Sequence, residues 1–335
     1  MIISAYNEEK VIPERVRNLI GSSYPKDKVE LIFIDDFSSD RTSQVAREAL
    51  EGSGFKFQVM RNPGRMGTNR SYNRAIQLAA NPIIVTTDAD VFFEPDALTR
   101  VVTRLLGDDR IVAVCGDLQP IPRETGTTAY ESMYRRFFGR MGEWESRVDS
   151  TYTFNGALVA FRKDRVSRIE DKKGSDDANT AFEAIRRGYR AVYEITAVVY
   201  ECVPPDFTTQ YRQKIRRAKR LIEATLANLD LLGHRRPFSR YFYPLRILMY
   251  VVSPALFFTG LVLVATGVLL MNRSLFLAIA MAFFVGFLVW RRNIIVAFTL
   301  NQFYLLAGLL NLPRETRIWD STTQDLTGIP RNDRG

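Results

Sequence analysis

An uncharged stretch of 24 residues, Ile247–Leu270, constrains this chain more than any other feature. As an α-helix it would be about 36 Å long, which exceeds a bilayer core of about 30 Å. Two further uncharged stretches follow it: Ser274–Trp290, with 17 residues, and Asn293–Pro313, with 21, in which Asn301 and Gln302 lie mid-segment. Three such stretches in succession favour membrane spans over a buried core helix. We expect residues 245–313 to form two to three transmembrane helices.

Basic residues lie mostly before these stretches. Ten Lys or Arg residues precede or adjoin the first one: Arg212, Lys214, Arg216, Arg217, Lys219, Arg220, Arg235, Arg236, Arg240 and Arg246. The next two loops carry only Arg273 and the pair Arg291–Arg292. Because positive residues stay on the cytoplasmic side, we expect a multi-pass cell-membrane protein whose N-terminal part faces the cytosol.

The basic segment itself, residues 206–244, is expected to form amphipathic interfacial helices. Gln213, Arg216 and Arg217 would point to a site, and the other cations of the stretch Arg212–Arg246 would meet anionic lipid head groups. The side of the polar tail, residues 314–335, stays open. Three full spans put the tail outside, whereas a re-entrant or interfacial third segment keeps it inside.

Residues 1–205 show a different pattern, in which short apolar runs alternate with amphipathic stretches. The apolar runs predict strands at Ile2–Ile3, Leu31–Ile34, Phe55–Met60, Ile83–Thr86 and Ile111–Val114. The stretches between them predict helices at Glu8–Ser22, Thr42–Gly52, Thr68–Ala80 and Pro95–Gly107. This alternation predicts an α/β domain with a mostly parallel sheet and a ligand site at the carboxyl ends of its strands. Met1 lies almost inside the first strand, so either this strand is short or further residues precede it.

Composition excludes several kinds of chemistry. The single histidine, His234, argues against a histidine metal site or a Ser-His-Asp triad, and Cys115 and Cys202 form no metal-binding pair. Acid–base work therefore falls to carboxylates. The formal net charge of +9 is compatible with an anionic partner such as a phosphorylated substrate or a lipid head group.

Acidic residues follow three of the predicted strands. Asp88 and Asp90 end one strand, Asp35 and Asp36 end another, and Tyr6–Glu9 follows the first. Carboxylates at i and i+2 suit a hard divalent cation that also holds a diphosphate, although a solvated turn is the alternative. Helix capping accounts for Ser38–Asp40 but not for Asp35 and Asp36. Together these strand ends predict one shared pocket.

The motifs and their order resemble the family 2 glycosyltransferases, which have a GT-A fold. The segments that carry the resemblance are Ala5–Glu9, Ile34–Asp40, Thr87–Val91, Asn155–Ala157, Gly174–Asp177 and Gln213–Arg217. The last is similar to the Gln-x-x-Arg-Trp motif of the membrane-bound branch that makes polysaccharides or glycolipids. The resemblance covers about residues 1–235 and implies a GT-A domain followed by membrane helices.

The resemblance also implies roles for individual residues. It places Asp177 as general base with Asp176 as the preceding acid, and Asp90 with Asp88 on Mg²⁺ or Mn²⁺. The donor is a nucleotide sugar, most often a UDP-sugar, and Asp36 accepts a hydrogen bond from its base. The other residues implied in nucleotide-sugar binding are Tyr6, Glu8, Arg70, Asp88, Gln213, Arg216 and Arg217. Asn155 and Gly156 are implied on the acceptor side, where a glycan or a lipid binds.

Departures from the family pattern leave alternatives open. Ser4 replaces a common Pro, Asp176 replaces Glu, and Arg217 replaces the Trp that packs beside the acceptor sugar. The last change weighs against processive synthesis and leaves single addition to a polyprenyl phosphate or glycolipid as the alternative. Capping of the helix Asn179–Gly188 is the local alternative for Asp176 and Asp177. A catalytically silent membrane scaffold is the alternative of a different class, and no nucleic-acid partner is expected.

Overall fold

A single eight-stranded sheet organises the N-terminal part of the protein. The computed structural model describes residues 1–121, 126–169, 174, 176–202, 207–271, 273–289 and 294–313, without the side chains of 126–130, 176, 207, 280, 283–289 and 294–296. The tail 314–335 and Arg291–Arg292 lie outside this description, as does Ser175. The strand order is β3-β2-β1-β4-β7-β6-β8-β5.

The strands and helices alternate through the first half of the chain. The strands are β1 (Ile2–Ala5), β2 (Glu30–Asp35), β3 (Lys56–Arg61), β4 (Ile83–Asp88), β5 (Val91–Phe93), β6 (Ile111–Pro120), β7 (Val159–Arg162) and β8 (Arg190–Glu201). The helices are α1 (Ile12–Ile20), α2 (Thr42–Leu50), α3 (Thr68–Leu78), α4 (Ala97–Leu106), α5 (Gly126–Val148), α6 (Asp176–Arg186) and α7 (Phe207–Ala227). All five predicted strands and all four predicted helices are present.

The sheet is mixed but mostly parallel, as expected, because six of its eight strands run in the same direction and β6 pairs in parallel with β8. Strands β3, β2, β1 and β4 pair in parallel, as βαβ units require. Strand β7 then enters antiparallel between β4 and β6, and β5 pairs antiparallel with β8. The sequence prediction missed β5 and β7, whose three and four residues are too short to show a period, and it also missed the 12-residue strand β8.

Packing explains why these segments adopt their structures. Every residue of β2 is buried, as expected for a strand covered on both faces. In α4, Leu98, Val101, Val102 and Leu105 recur at helical spacing and are 6% exposed or less. The two large apolar clusters lie on opposite faces of the sheet, since Ile2 and Ile3, which are consecutive in β1, belong to different clusters.

The C-terminal part is helical. One helix of the described residues, Phe238–Met271, is long and apolar enough to cross a membrane; it has 34 residues, and an 18-residue window within it has a mean hydropathy of 2.3. We call it the long apolar helix. Two further apolar helices, Arg273–Val289 and Ile294–Leu310, have 17 residues each, short of the usual ~20 for a span. The fold is therefore a mixed α/β sheet with flanking helices followed by apolar helices.

A buried ion pair fastens the long apolar helix to the α/β part. Arg246 is 1% exposed, and its Nε and Nη2 donate to the two Glu145 carboxylate oxygens at 2.8 and 2.9 Å. Arg246 also donates to Thr153 Oγ1 at 2.5 Å, and Glu145 accepts from Thr151 Oγ1 at 2.5 Å. Because both charges are removed from water, removing one partner leaves the other uncompensated. The pair therefore fixes the helix relative to α5.

We predict that Arg246→Met lowers the free energy of unfolding by about 3–5 kcal/mol, because it leaves the Glu145 carboxylate buried without its charged partner. Arg147→Met is the matched control on α5, because Arg147 forms an exposed i,i+4 pair with Glu143 and should cost at most about 0.5 kcal/mol. Unfolding of the detergent-solubilised chain followed by circular dichroism measures both. Equal losses for the two variants would contradict the account.

Candidate active site

A cavity of about 540 Å³ opens at the carboxyl ends of β1, β2 and β4. Its volume is in the range of sites for small molecules and cofactors. The residues predicted from the sequence that line it are Tyr6, Glu8, Asp36, Arg70, Asp88, Asp90, Asn155, Gly156, Asp177, Gln213, Arg216 and Arg217. Asp176 begins α6, and its side chain lies outside the described residues. The structure thus brings twelve of the thirteen predicted residues to one place.

The turn after β1 is fixed by the turn after β2. Asn7 has a φ of 54°, a left-handed conformation, and its Oδ1 accepts from the Ser39 N–H at 2.8 Å. The Glu8 N–H donates to Thr42 Oγ1 at 2.9 Å. Asp35 accepts from the Ser38 N–H at 2.8 Å and from the Ser43 hydroxyl. The Asp35 carboxylate therefore stabilises this turn and does not cap the backbone of α2, as expected.

Asp36 holds the loop before α3. It is 3% exposed, and its oxygens accept from the Met66 N–H at 2.8 Å, the Gly67 N–H at 2.9 Å and Asn62 Nδ2 at 2.8 Å. Gly67 has a φ of +83°, which a residue with a side chain rarely adopts. The Arg65 guanidinium lies 3.4 Å from Asp36 Oδ2 and 3.2 Å from the centre of the Tyr6 ring. Asp36 thus positions Arg65 and Tyr6 at one end of the cavity.

Asp88 and Asp90 lie at the end of β4, on the cavity wall. The Tyr72 hydroxyl donates to Asp88 Oδ1 at 3.4 Å. A Cβ atom added at Gly156 would lie only 3.3 Å from Asp88 Oδ2. The backbone at Gly156 therefore lies close to this carboxylate, and a larger residue would crowd it. The described residues contain no group of three His, Cys, Asp or Glu side chains suited to a metal ion. Two carboxylates nonetheless fit Mg²⁺ or Mn²⁺, because such ions in phosphate sites combine one or two carboxylates with substrate phosphates.

A buried cation lies behind these carboxylates. Arg15 of α1 is 1% exposed, donates to Thr87 Oγ1 at 2.9 Å and to Asn18 Oδ1 at 3.1 Å, and its guanidinium lies 4.1 Å from the centre of the Phe93 ring. Burial lowers the pKa of Arg15 to about 9, while the charges of Asp90 and Asp88 act in the opposite direction. Because Arg15 donates to Thr87, its positive charge lies inside the protein, next to the strand end that carries Asp88 and Asp90.

Asp177 lies in the first turn of α6, which begins at Asp176 rather than at Asn179 as predicted. Its Oδ1 accepts from the Ala178 N–H at 3.0 Å, and its side chain also lines the cavity. The Asp177 carboxylate therefore both accepts a hydrogen bond at the start of α6 and lines the cavity. Asn155, on the same wall, is tied to the sheet because its Nδ2 donates to the Gly116 carbonyl at 3.0 Å. Burial raises the pKa of the nearby Cys115 thiol well above its ordinary value, so this cysteine is a neutral packing residue.

Helix α7 supplies the basic wall through Gln213, Arg216, Arg217 and Arg220. Burial, together with the neighbouring cations Arg217 and Arg220, lowers the pKa of Arg216 to about 10. Arg217 donates to both carboxylate oxygens of Glu201, at 2.9 and 3.1 Å. Arg216 therefore carries a charge that the neighbouring cations destabilise, and a phosphate group would stabilise it.

The expectation that the remaining cations of this segment face lipid head groups is wrong for four of them. Lys214 pairs with Glu131, Lys219 with Glu223, Arg236 with Asp149 and Arg246 with Glu145. The pairs of Lys214, Arg236 and Arg246 reach carboxylates 83 to 101 residues earlier in the chain, so no local pattern in the sequence could have revealed them.

Sequence reasoning also missed several lining residues. Arg65, Arg135, Glu201 and Tyr250 belong to the cavity wall. Tyr250 lies in a π-helical turn of the long apolar helix, at Leu248–Val252. Arg135 Nη1 is buried without a hydrogen-bond partner among the described residues. The Pro63–Gly67 turn was the one available signal for Arg65, since glycines before a helix often mark a phosphate or nucleotide loop.

Curated relatives share most of this chain. It is 26% identical over 275 residues to "Probable glycosyltransferase YdaM" of Bacillus subtilis, covering 78% of this chain and 64% of that protein. It is 23% identical over 270 residues to "Poly-beta-1,6-N-acetyl-D-glucosamine synthase" of Staphylococcus aureus, covering 79% of this chain and 63% of that protein. The chain therefore spans slightly less than two thirds of the length of these relatives.

Solved structures share the fold. The mannosyltransferase PcManGT of Pyrobaculum calidifontis, solved with GDP-Man and Mn²⁺, superposes with a TM-score of 0.78 at 24% identity, covering 93% of this chain and 86% of that one. The sequence model described as "Glycosyl transferase family 2" matches residues 1–166. Residues 1–166 therefore belong to glycosyl transferase family 2, and the sheet resembles the GT-A fold.

Proposed function

We propose that this chain is a membrane-bound, metal-dependent inverting glycosyltransferase. It moves a sugar from a nucleotide diphosphate sugar, by resemblance a UDP-sugar, to a glycan or lipid acceptor at the cytoplasmic face of the cell membrane. The observation that carries the proposal is the meeting of Asp36, Asp88, Asp90, Asp177 and Arg216 around one cavity. These residues come from distant parts of the chain, and no packing requirement explains so much charge in one place.

The proposed organisation follows the sequence expectation. Residues 1–205 form the cytosolic catalytic domain, and 206–244 form interfacial helices that carry the Gln213–Arg217 motif. Residues 245–313 form two to three membrane helices in a multi-pass arrangement, and 314–335 form a polar tail. The length and hydropathy of the long apolar helix support this arrangement.

The donor's diphosphate would lie between the acidic strand end and the basic wall. Asp90, with Asp88 beside it, would hold Mg²⁺ or Mn²⁺, and the ion would neutralise charge on the leaving phosphate. Arg216 would stabilise the same developing charge from α7. Tyr6, Glu8, Arg70 and Gln213 would hold the nucleotide. A base contact from Asp36 Oδ2 requires Arg65 to move aside, since Arg65 is 3.4 Å from that oxygen.

Transfer then needs a proton acceptor on the opposite side of the sugar. We assign this role to Asp177, which takes the proton of the acceptor hydroxyl while its oxygen attacks the anomeric carbon. Attack opposite the leaving diphosphate inverts the configuration. Asp176 is the preceding acid of the motif. Asn155 and Gly156 would border the acceptor, and the hydrogen bond of Asn155 to the Gly116 carbonyl supports a fixed wall there.

Single addition to a lipid-linked phosphate is the alternative to processive synthesis, and one observation favours it. Arg217, in place of an aromatic residue, is held by Glu201 and offers no sugar-stacking face. Sizing the products formed from a panel of labelled UDP- and GDP-sugars distinguishes a polymer ladder from one lipid-linked product.

We predict that Asp177→Asn lowers kcat for transfer by about 10²- to 10⁴-fold, because an amide cannot accept the hydroxyl proton. Donor affinity, measured by calorimetry, should be unchanged. Asp109→Asn is the matched control, since the Asp109 side chain is 99% exposed and should leave both quantities unaltered. Transfer at the unmodified rate in Asp177→Asn would refute the assignment of the base. If the chain were a catalytically silent scaffold, neither the unmodified chain nor Asp177→Asn would bind the donor.

Donor affinity should fall as the pH rises through about 10, where Arg216 loses its proton. The charged form is the one that binds a diphosphate, so full affinity is expected below this pH, and bound donor shifts the titration upward. The Arg216→Gln variant should bind the donor more weakly, and its donor affinity should show no fall near pH 10. Arg212→Gln, an exposed position on the same helix, should retain this fall. Calorimetric titrations at successive pH values test this, and an unchanged profile in Arg216→Gln would contradict it.

Gly156→Val is predicted to weaken Mn²⁺-dependent donor binding by about tenfold or more. A side chain at this position crowds Asp88 Oδ2, and overpacking of this kind costs about 1–3 kcal/mol. Gly233→Val is the control, because a Cβ at Gly233 meets no atom within 4 Å. The thermal midpoints of both variants show whether folding is intact. If a folded Gly156→Val chain keeps the same dependence of donor affinity on Mn²⁺, the close approach of residue 156 to Asp88 does not matter for donor binding.

A further inference from the structure

Helix α5 presents an exposed apolar stripe. Phe137, Trp144 and Val148 are 54%, 59% and 53% exposed, and Met141 lies between them. Their spacing of four, three and four residues puts them on one face of the helix. The opposite face packs against the catalytic domain through buried residues such as Glu131, Arg135, Gly142, Glu145 and Ser146. Core packing therefore does not explain the stripe.

Arginines line one edge of this stripe. Arg136, Arg140 and Arg147 are all exposed and follow one another at intervals of four and seven residues, which places them side by side along the helix. Arg147 pairs with Glu143, but Arg136 and Arg140 have no carboxylate partner in the described part of the chain. An apolar face with an arginine edge is the pattern of a helix that lies in the surface of an anionic membrane.

The stripe is continuous with the long apolar helix. The Trp144 ring lies 5.4 Å from that of Phe242, near the start of that helix, in an edge-on contact. Leu245, one turn further along the same face, is 48% exposed. The buried Glu145–Arg246 pair fixes the two helices at the same point. A membrane that holds the long apolar helix would therefore lie beside Trp144.

We propose that α5 is a second membrane-contacting surface, whose occupant is the head-group region of an anionic bilayer. This rests on the membrane location in the proposed function. Phe137, Met141, Trp144 and Val148 insert below the head groups, and Arg136 and Arg140 bind lipid phosphates. The other face of α5 carries Glu131, Tyr134, Arg135 and Phe138 of the cavity wall, so this contact holds the cavity against the membrane surface.

Trp144 is the natural reporter, because the chain contains only three tryptophans. With Trp290→Phe and Trp319→Phe, the full chain is reconstituted in vesicles of phosphatidylglycerol and phosphatidylcholine with brominated acyl chains. We expect Trp144 emission to be quenched most by bromine close to the head groups, about 5–10 Å deep, and less by bromine at the chain ends. A second reporter, Phe137→Trp in a chain with all three native tryptophans replaced by Phe, should behave in the same way.

The control reporter is Leu106→Trp in that tryptophan-free background. Leu106 is 55% exposed at the end of α4 and lies outside the proposed surface, so its reporter should be quenched by aqueous acrylamide and not by brominated lipid. Arg136→Glu with Arg140→Glu should reduce lipid quenching of Trp144, whereas Arg100→Glu, at an exposed site on α4, should not.

Each other outcome overturns the proposal in a distinguishable way. Quenching of Trp144 by acrylamide alone means that the stripe faces water. Shielding from both quenchers means that a second copy or a partner protein covers it. Failure of the chain to float with vesicles removes the membrane location and this proposal together. Loss of donor binding in calorimetry would instead refute the proposed enzymatic function, and lipid quenching does not depend on it.

Discussion

The structure depends on a balance between a buried cation and an acidic sheet edge. Strands β2 and β4, which run parallel on either side of β1, place Asp36, Asp88 and Asp90 at one edge of the sheet, where their charges would repel one another in the absence of compensation. Arg15 supplies positive charge from within the protein, although burial opposes its ionisation and lowers its pKa to about 9. On the open side, Arg216 supplies positive charge from α7. The cavity between them suits an anion and a hard cation bound together.

Two helices connect this cavity to the apolar part of the chain. Helix α5 contributes Tyr134 and Phe138 to the cavity wall and exposes Trp144 on its other face. The long apolar helix contributes Tyr250 to the same wall, and the Arg246–Glu145 pair locks it to α5. The cavity wall is thus built partly from the segment proposed to enter the membrane. This arrangement suits an acceptor that is itself anchored in lipid.

Local patterns in the sequence predict the first parallel strands and the acidic residues at their ends, whereas the resemblance to family 2 glycosyltransferases supplied the cavity residues Asn155, Gly156, Asp177, Gln213, Arg216 and Arg217. An apolar run in the sequence predicts a strand, and the Asp36 or Asp88 that follows the run shows which end of that strand is charged. The pairing of Arg246 with Glu145, 101 residues apart, has no such signature, because a cation in an amphipathic segment looks the same whether it faces lipid or a buried carboxylate. The antiparallel entry of β7 and the tether of Asp36 to Met66 and Gly67 likewise depend on tertiary contacts. The number of spans and the residue roles remain predictions.

The central claim is that carboxylates from distant parts of the chain meet around a cation and a diphosphate. Electron paramagnetic resonance of Mn²⁺ tests it directly, because the signal of the free ion decreases when the ion is bound. The account predicts strong uptake of Mn²⁺ when the full chain and a nucleoside diphosphate are both present, and loss of that uptake in Asp90→Ala. Equal uptake by Asp90→Ala, or no dependence on the nucleotide, would contradict it.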